Sequence, residues 1–195
     1  MIKKIVITGG LGYIGTELCR IYSGVSWHHK ITVIDNRFIS ERVNQVRNWN
    51  MDFVHGDILN KELVAKYFKD ADIVHHLAGI TDVPRTKSDS TDEKDKQIKL
   101  VAEQGTQNIL DSISDECKII FPSTHVVYEG IEKVKNDIKE DEDTKPVLSY
   151  STSKAINEKQ LKDSGKNYII LRLGSVYGYS SDSARIDIMP NLFSK

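Results

Sequence analysis

A surplus of basic residues is missing from this chain of 195 residues: 27 lysines and arginines stand against 28 aspartates and glutamates, for a formal net charge of -1. With neither a basic excess nor a strongly basic block, electrostatics give no case for nucleic acid or an anionic membrane surface as partner, and a small molecule is the expected ligand. Long apolar runs are missing too, so no stretch is suited to span a bilayer. Met1-Ile2-Lys3-Lys4 leads straight into an apolar β-branched run and leaves no room for a signal peptide, which makes the cytoplasm the expected location. Cysteine is scarce. Cys19 and Cys117 lie far apart inside predicted elements, which argues against a disulfide framework and for buried thiols in a reducing compartment. Zinc-ligand spacing is absent: His28, His29, His55, His75, His76 and His125 form no such pair, no Cys-x-x-Cys accompanies them, and no metal is expected. Internal repeats and low-complexity segments are lacking as well. What remains, 39% hydrophobic and 28% charged, is an ordinary globular composition at a length that fits one domain.

What is present is organised around Ile5-Val6-Ile7-Thr8-Gly9-Gly10-Leu11-Gly12-Tyr13-Ile14-Gly15. A β-branched run breaks into glycines, and Thr16 to Tyr22 follows with the composition and apolar spacing of a helix. Strand, tight turn and helix in that order let the backbone approach a pyrophosphate and aim unpaired N–H groups and the positive helix end at it. Such a turn also occurs simply to close a strand onto a helix. Lys30 to Asp35 then reads as a second buried strand ending in a carboxylate, about twenty residues past the last glycine, where a dinucleotide fold places its ribose-binding acid. A turn or N-cap role is the alternative for Asp35; beside the glycines the ribose role is favoured. Arg37 could meet a 2′-phosphate, but Asp35 would repel that phosphate, so NAD is expected over NADP.

The rhythm continues. Met51 to Ile58 reads as a third strand, Asn60 to Phe68 as a helix capped by Asn60, and Ala71 to Gly79 as a fourth strand ending in a small-residue turn. Thr81 to Lys96, with Pro84, reads as a mobile loop opening into a helix from about Asp92 to Ser114. Cys117 to Pro122 makes a fifth strand that delivers Ser123-Thr124-His125 at its carboxyl end, the end where open α/β sheets bind ligands. Glu129 to Lys145 is a charged loop, Val147 to Ser164 a helix, and Lys166 to Leu173 a sixth strand. Strands alternating with helices imply an α/β fold of Rossmann type, a doubly wound parallel sheet with helices on both faces.

Tyr150 and Lys154 stand four residues apart on a predicted helix, hence on one face. A lysine ammonium near a tyrosine hydroxyl favours the phenolate, lowering a pKa that otherwise lies near 10, so the pair can act as a general base. The spacing alone is common by chance; its weight comes from following a fifth strand that ends in hydroxyl residues.

With these motifs in order, the chain resembles the extended branch of the short-chain dehydrogenase/reductase family, whose sugar-nucleotide epimerases and dehydratases carry Thr-Gly-x-x-Gly-x-x-Gly and, later, Tyr-x-x-x-Lys. Thr8, Gly9, Gly12 and Gly15 match the phosphate turn, and Phe121 to Tyr128 is similar to the family's Ser-Ser-x-x-Val-Tyr-Gly stretch. Leu171 to Gly178 resembles its Arg-x-x-Asn-Val-Tyr-Gly-Pro stretch. The resemblance implies cofactor contacts from Gly9, Gly12, Tyr13, Ile14, Gly15, Asp35, Asn36, Asp57, Ile58, Leu77, Ala78, Gly79 and Lys154. It implies catalysis by Thr124, Tyr150 and Lys154, and substrate contacts from Thr124, His125 and Ser175. NAD is the implied cofactor, a nucleotide sugar the implied substrate, and a homodimer through the helices near the fourth and fifth strands the implied assembly.

Departures refine this. Where dehydratases of the group follow the threonine with Asp-Glu, this chain has His125 and Val126, so an NAD-dependent epimerase working through a transient keto sugar is expected ahead of a dehydratase. A reductase or dehydrogenase and a non-catalytic NAD-binding module are the remaining alternatives. Ala102 and Ser175 replace family asparagines, and Glu129 lengthens the Val-Tyr-Gly stretch by one residue. Extended members continue into a smaller substrate domain. Residues 1–178 are therefore expected to form the NAD-binding domain, and 179–195 the start of a truncated substrate region that is largely absent from this chain.

Overall fold

The computed structural model describes residues 2–81, 91–178 and 180. Among these residues six strands alternate with five α-helices: β1 Lys4–Thr8, α1 Tyr13–Ser23, β2 Lys30–Asp35, α2 Ser40–Asn48, β3 Asp52–His55, α3 Lys61–Phe68, β4 Ile73–His76, α4 Asp92–Ser112, β5 Lys118–Thr124, α5 Ser149–Asp163 and β6 Asn167–Leu173. All strands run parallel in the order β3-β2-β1-β4-β5-β6. The chain moves outward from β1 to β3, crosses back, and moves outward again from β4. The reversal lies between β1 and β4, the point where doubly wound sheets form a ligand crevice.

Alternation along β1 explains the layers, because successive residues face opposite sides of a strand. Val6 joins Ile34, Val74, Ile119 and Phe121 in a core against Val64 and Phe68 of α3, Ile109 and Leu110 of α4, and Leu161 of α5. Ile5 and Ile7 join Ile31 and Val33 against Cys19 of α1 and Val43 and Val46 of α2 on the other face. Cys19 and Cys117 are buried free thiols, and burial pushes them up to about 12 and about 11. No helix among the described residues is long and apolar enough to cross a membrane.

The structure differs from the expected elements in three places. α2 was not legible, since SERVNQVRN offers only Val43 and Val46 as an apolar stripe. The third and fourth strands are shorter than expected at both ends, because pairing covers only Asp52 to His55 and Ile73 to His76. The fifth strand instead extends through Thr124, paired with β6 along its whole length. Pro122 is tolerated in this inner strand because the β4 pairing ends at Ile120, so no β4 carbonyl awaits its missing N–H. The expected loop around Pro84 and nearly all of residues 179–195 lie outside the described residues.

Candidate functional site

The carboxyl ends of the strands open into one cleft of about 920 Å³. Gly9 turns the chain away from β1 with a φ of 66°, in the left-handed region open to glycine. A Cβ at Gly9 would lie 2.7 Å from the Ala78 amide nitrogen, so glycine is what lets the turn pack on the chain leaving β4. Gly12 is the N-cap of α1 and makes no side-chain cap bond, and the first turn, Tyr13 to Gly15, lines the cleft.

Asp35 is 5% exposed at the end of β2. One of its oxygens accepts the Leu11 N–H at 2.9 Å; the other accepts the Arg37 N–H at 3.0 Å and Nε at 3.4 Å. The carboxylate thereby fastens the glycine turn to β2. Beside it, Asn36 donates to Asp57 at 2.9 Å, and the other Asp57 oxygen accepts the Leu59 N–H at 2.9 Å. Behind the turn, the Ala78 N–H donates to Thr8 Oγ1 at 3.0 Å, and Thr8 meets His76 Nδ1 at 3.1 Å. His76 Nε2 lies 3.0 Å from Thr106 Oγ1 of α4. Burial, with Lys154 nearby, pushes His76 down to about 3, so it is neutral at physiological pH.

At the other end of the cleft, Thr124 finishes β5, and its Oγ1 accepts the Val126 N–H at 3.3 Å, starting the short 3-10 turn His125–Tyr128. The Thr124 proton is left to donate elsewhere. His125 Nδ1 lies 3.2 Å from the Leu173 carbonyl. A carbonyl only accepts, so Nδ1 carries the proton, and the Nε2 of a neutral ring is an acceptor. On α5, Lys154 Nζ donates to the Pro122 carbonyl at 2.8 Å and lies 4.4 Å from the Phe121 ring centre and 5.8 Å from that of Tyr150. Burial holds Lys154 down to about 8, against the opposing pull of Glu158.

All the residues expected from sequence line this same cleft: Gly9, Gly12, Tyr13, Ile14, Gly15, Asp35, Asn36, Asp57, Ile58, Leu77, Ala78, Gly79, Thr124, His125, Tyr150, Lys154 and Ser175. Glu129, Leu148 and Ser151 line it too without having been assigned a place there, and Arg37, weighed only as a partner for a 2′-phosphate, is also part of the lining. A supporting network was also missed. Glu158, one turn beyond Lys154, accepts from Ser123 at 2.6 Å and from Arg172 at 3.0 and 2.7 Å, and Arg172 reaches on to the Tyr128 hydroxyl. The four-residue step from Lys154 to Glu158 was the available signal. Among the described residues, no group of histidine, cysteine and carboxylate side chains could hold a metal ion.

Curated relatives align with most of the chain. A dTDP-D-glucose 4,6-dehydratase of Dictyostelium discoideum is 30% identical over 198 residues, 91% of this chain and 44% of the relative. A CDP-paratose 2-epimerase of Salmonella typhi is 30% identical over 205 residues, 90% of this chain and 58% of the relative. The chain thus spans about half the length of these relatives. Among solved structures, a UDP-glucuronic acid 4-epimerase from Bacillus cereus in complex with NAD superposes with a TM-score of 0.78 at 27% identity, covering 97% of this chain and 60% of that one. Residues 5–193 match the family described as NAD dependent epimerase/dehydratase, and the chain belongs to that family.

Proposed function

We propose that the chain binds NAD in this cleft and carries the acid–base group of an epimerase acting on a nucleotide-linked sugar. The observation behind the reading is that Thr124, Tyr150 and Lys154 line the same cleft as the glycine turn and Asp35. The residues present suit the cofactor. The glycine turn and the N-terminus of α1 would hold the pyrophosphate, Asp35 the adenosine ribose, and Asp57 and Ile58 the adenine, with Leu77 to Gly79 close beside. Gly12 leaves room, since a Cβ there would meet only the Gly9 carbonyl oxygen at 3.1 Å and Arg37 at 3.6 Å.

When bound, NAD supplies a reversible hydride acceptor. Tyr150, as phenolate, takes the proton from a sugar hydroxyl and later returns it. Thr124 donates a hydrogen bond to the same oxygen, and Lys154 holds the nicotinamide ribose and favours the Tyr150 phenolate. The sugar passes through a transient ketone, and its reduction on the opposite face inverts the centre. His125 and Ser175 would contact the sugar nucleotide, residues 1–178 form the cofactor domain, and residues 179–195 begin the substrate region. A cytoplasmic homodimer is part of this reading.

The epimerase relatives support a nucleotide-linked sugar as the substrate class. The dehydratase relative raises elimination as a second chemistry, but His125 and Val126 stand where its acid and base are expected, which favours epimerisation. The test is to incubate the protein with NAD and a panel of nucleotide sugars and to separate products differing only in stereochemistry. Interconversion without NADH accumulating, abolished in Tyr150→Phe while NADH still binds, is expected. Full activity in Tyr150→Phe would overturn the mechanism, and NADH accumulating with turnover would point to a dehydrogenase instead.

A further inference from the structure

Helix α5 carries Tyr150 and Lys154, and its own sequence holds its start only through Ser151, whose Oγ lies 3.2 Å from the Leu148 nitrogen and 3.3 Å from the Val147 nitrogen. Its N-cap is Leu148, whose side chain accepts nothing, and its first turn holds no acidic residue. A helix start without a cap frays. The nearer acceptor for both N–H groups is Glu129, the residue that lengthens the Val-Tyr-Gly stretch. One Glu129 oxygen accepts the Val147 N–H at 2.8 Å and the Leu148 N–H at 2.7 Å, and it also accepts from the Ser151 hydroxyl. Burial works to raise the Glu129 pKa, but the bonds from Ser151, Leu148 and Val147 hold it below the ordinary carboxylate value.

Glu129 is itself tied to Thr124. Its N–H donates to the Val126 carbonyl at 3.1 Å, closing the turn that Thr124 Oγ1 opens. Two backbone bonds brace the same junction, Gly130 N–H to the Lys145 carbonyl and Lys145 N–H to the Val127 carbonyl, both at 2.8 Å. A continuous series of bonds thus runs from the end of β5 through Glu129 to the first turn of α5. Tyr150 is the second residue of that helix and lies inside the turn that Glu129 fastens; Lys154 lies one turn further on.

We propose that Glu129 is a positioning residue, a cap supplied from outside the helix that holds Tyr150 in place against Thr124 and within reach of Lys154. The inference rests on the function proposed above. A carboxylate suits the task because several donors converge on one oxygen at the positive end of a helix.

The test uses the full chain with NADH bound, as Glu129→Ala and Glu129→Gln. Ionisation of Tyr150 is read from tyrosinate absorbance after subtracting the titration of a Tyr150→Phe counterpart. In Glu129→Ala the first turn of α5 frays, Tyr150 leaves Lys154, and its midpoint rises by about one pH unit. In Glu129→Gln the amide oxygen still accepts and the midpoint stays near that of the parent. His125 and Lys154 are the same in both variants, so they cancel from the comparison. Equal downward shifts in both variants would mean that Glu129 acts only through its charge, and an unmoved midpoint in Glu129→Ala would mean that it positions nothing; either result overturns the proposal. NADH affinity separates the two levels. If the parent fails to bind NADH, the proposed function falls and this inference with it; if binding persists while the midpoints disagree, only the role of Glu129 is lost.

Discussion

Gly9 and His76 are two residues whose environment, more than their chemistry, decides what they do. A side chain at Gly9 combines a φ of 66° with atoms of Leu77 and Ala78 within 2.9 Å. Gly9→Ala should therefore cost more than the roughly 1–2 kcal/mol of left-handed strain alone, read as a lowered midpoint in urea unfolding. His76, 2% exposed and pushed down to about 3 by burial first and Lys154 second, has a value near 6.5 once unfolded. Between those values the unfolded chain binds a proton that the folded chain refuses, so stability present above pH 6.5 is lost as pH falls toward 3. His75, buried beside Tyr22 and pushed down by burial to about 4, adds to the same window. Thermal melts from pH 7 to pH 4.5 should show a falling Tm, and the fall should be shallower in His76→Gln; parallel curves for the two proteins would remove His76 as a cause. The glycine spacing and Asp35 were legible because they obey a local pattern. The Thr8–His76–Thr106 chain was not, because its members meet only after β1, β4 and α4 pack together, from positions 68 and 30 residues apart.

Elements were legible in proportion to how much of their stability is local. α3 was readable from Asn60, whose side chain accepts the Leu63 N–H at 3.1 Å, as an N-cap does. Asn60→Ala should cost about 1 kcal/mol, measurable in the same urea unfolding, with NADH affinity unchanged. β2 matched its expected bounds because an apolar run buried on both faces ends at a charged residue. α2 escaped notice because two valines on an otherwise polar segment carry no periodic signal, and the sheet beneath supplies what its sequence lacks. α5 was legible from its interior, but the Glu129 carboxylate that accepts the N–H groups at its start lies 19 residues upstream, where no pattern confined to the helix could reveal it.

The whole molecule is a sheet whose two faces are unevenly covered among the described residues. α3, α4 and α5 pack on one face, and α1 and α2 on part of the other. Ile170 turns toward the first core, so its neighbours Ile169 and Leu171 turn away from it, 40% and 43% exposed. Double substitution Ile169→Thr and Leu171→Thr should reduce the binding of an apolar fluorescent dye to this chain, while Tm changes little, since both side chains are already open to solvent. Apart from α2, the alternating order of strands and helices was readable, because the βα repeat and right-handed crossovers leave few topologies to choose from. The substrate was not readable, since the chain spans about half the length of its curated relatives and the residues that differ between their substrates carry no local pattern. Titration of the intact chain with NADH, followed by nicotinamide fluorescence with NADPH run alongside, tests the central claim most directly. Saturable one-site binding of NADH, weaker by about tenfold or more for NADPH because Asp35 opposes a 2′-phosphate, is the predicted result; no saturable binding of NADH would contradict it.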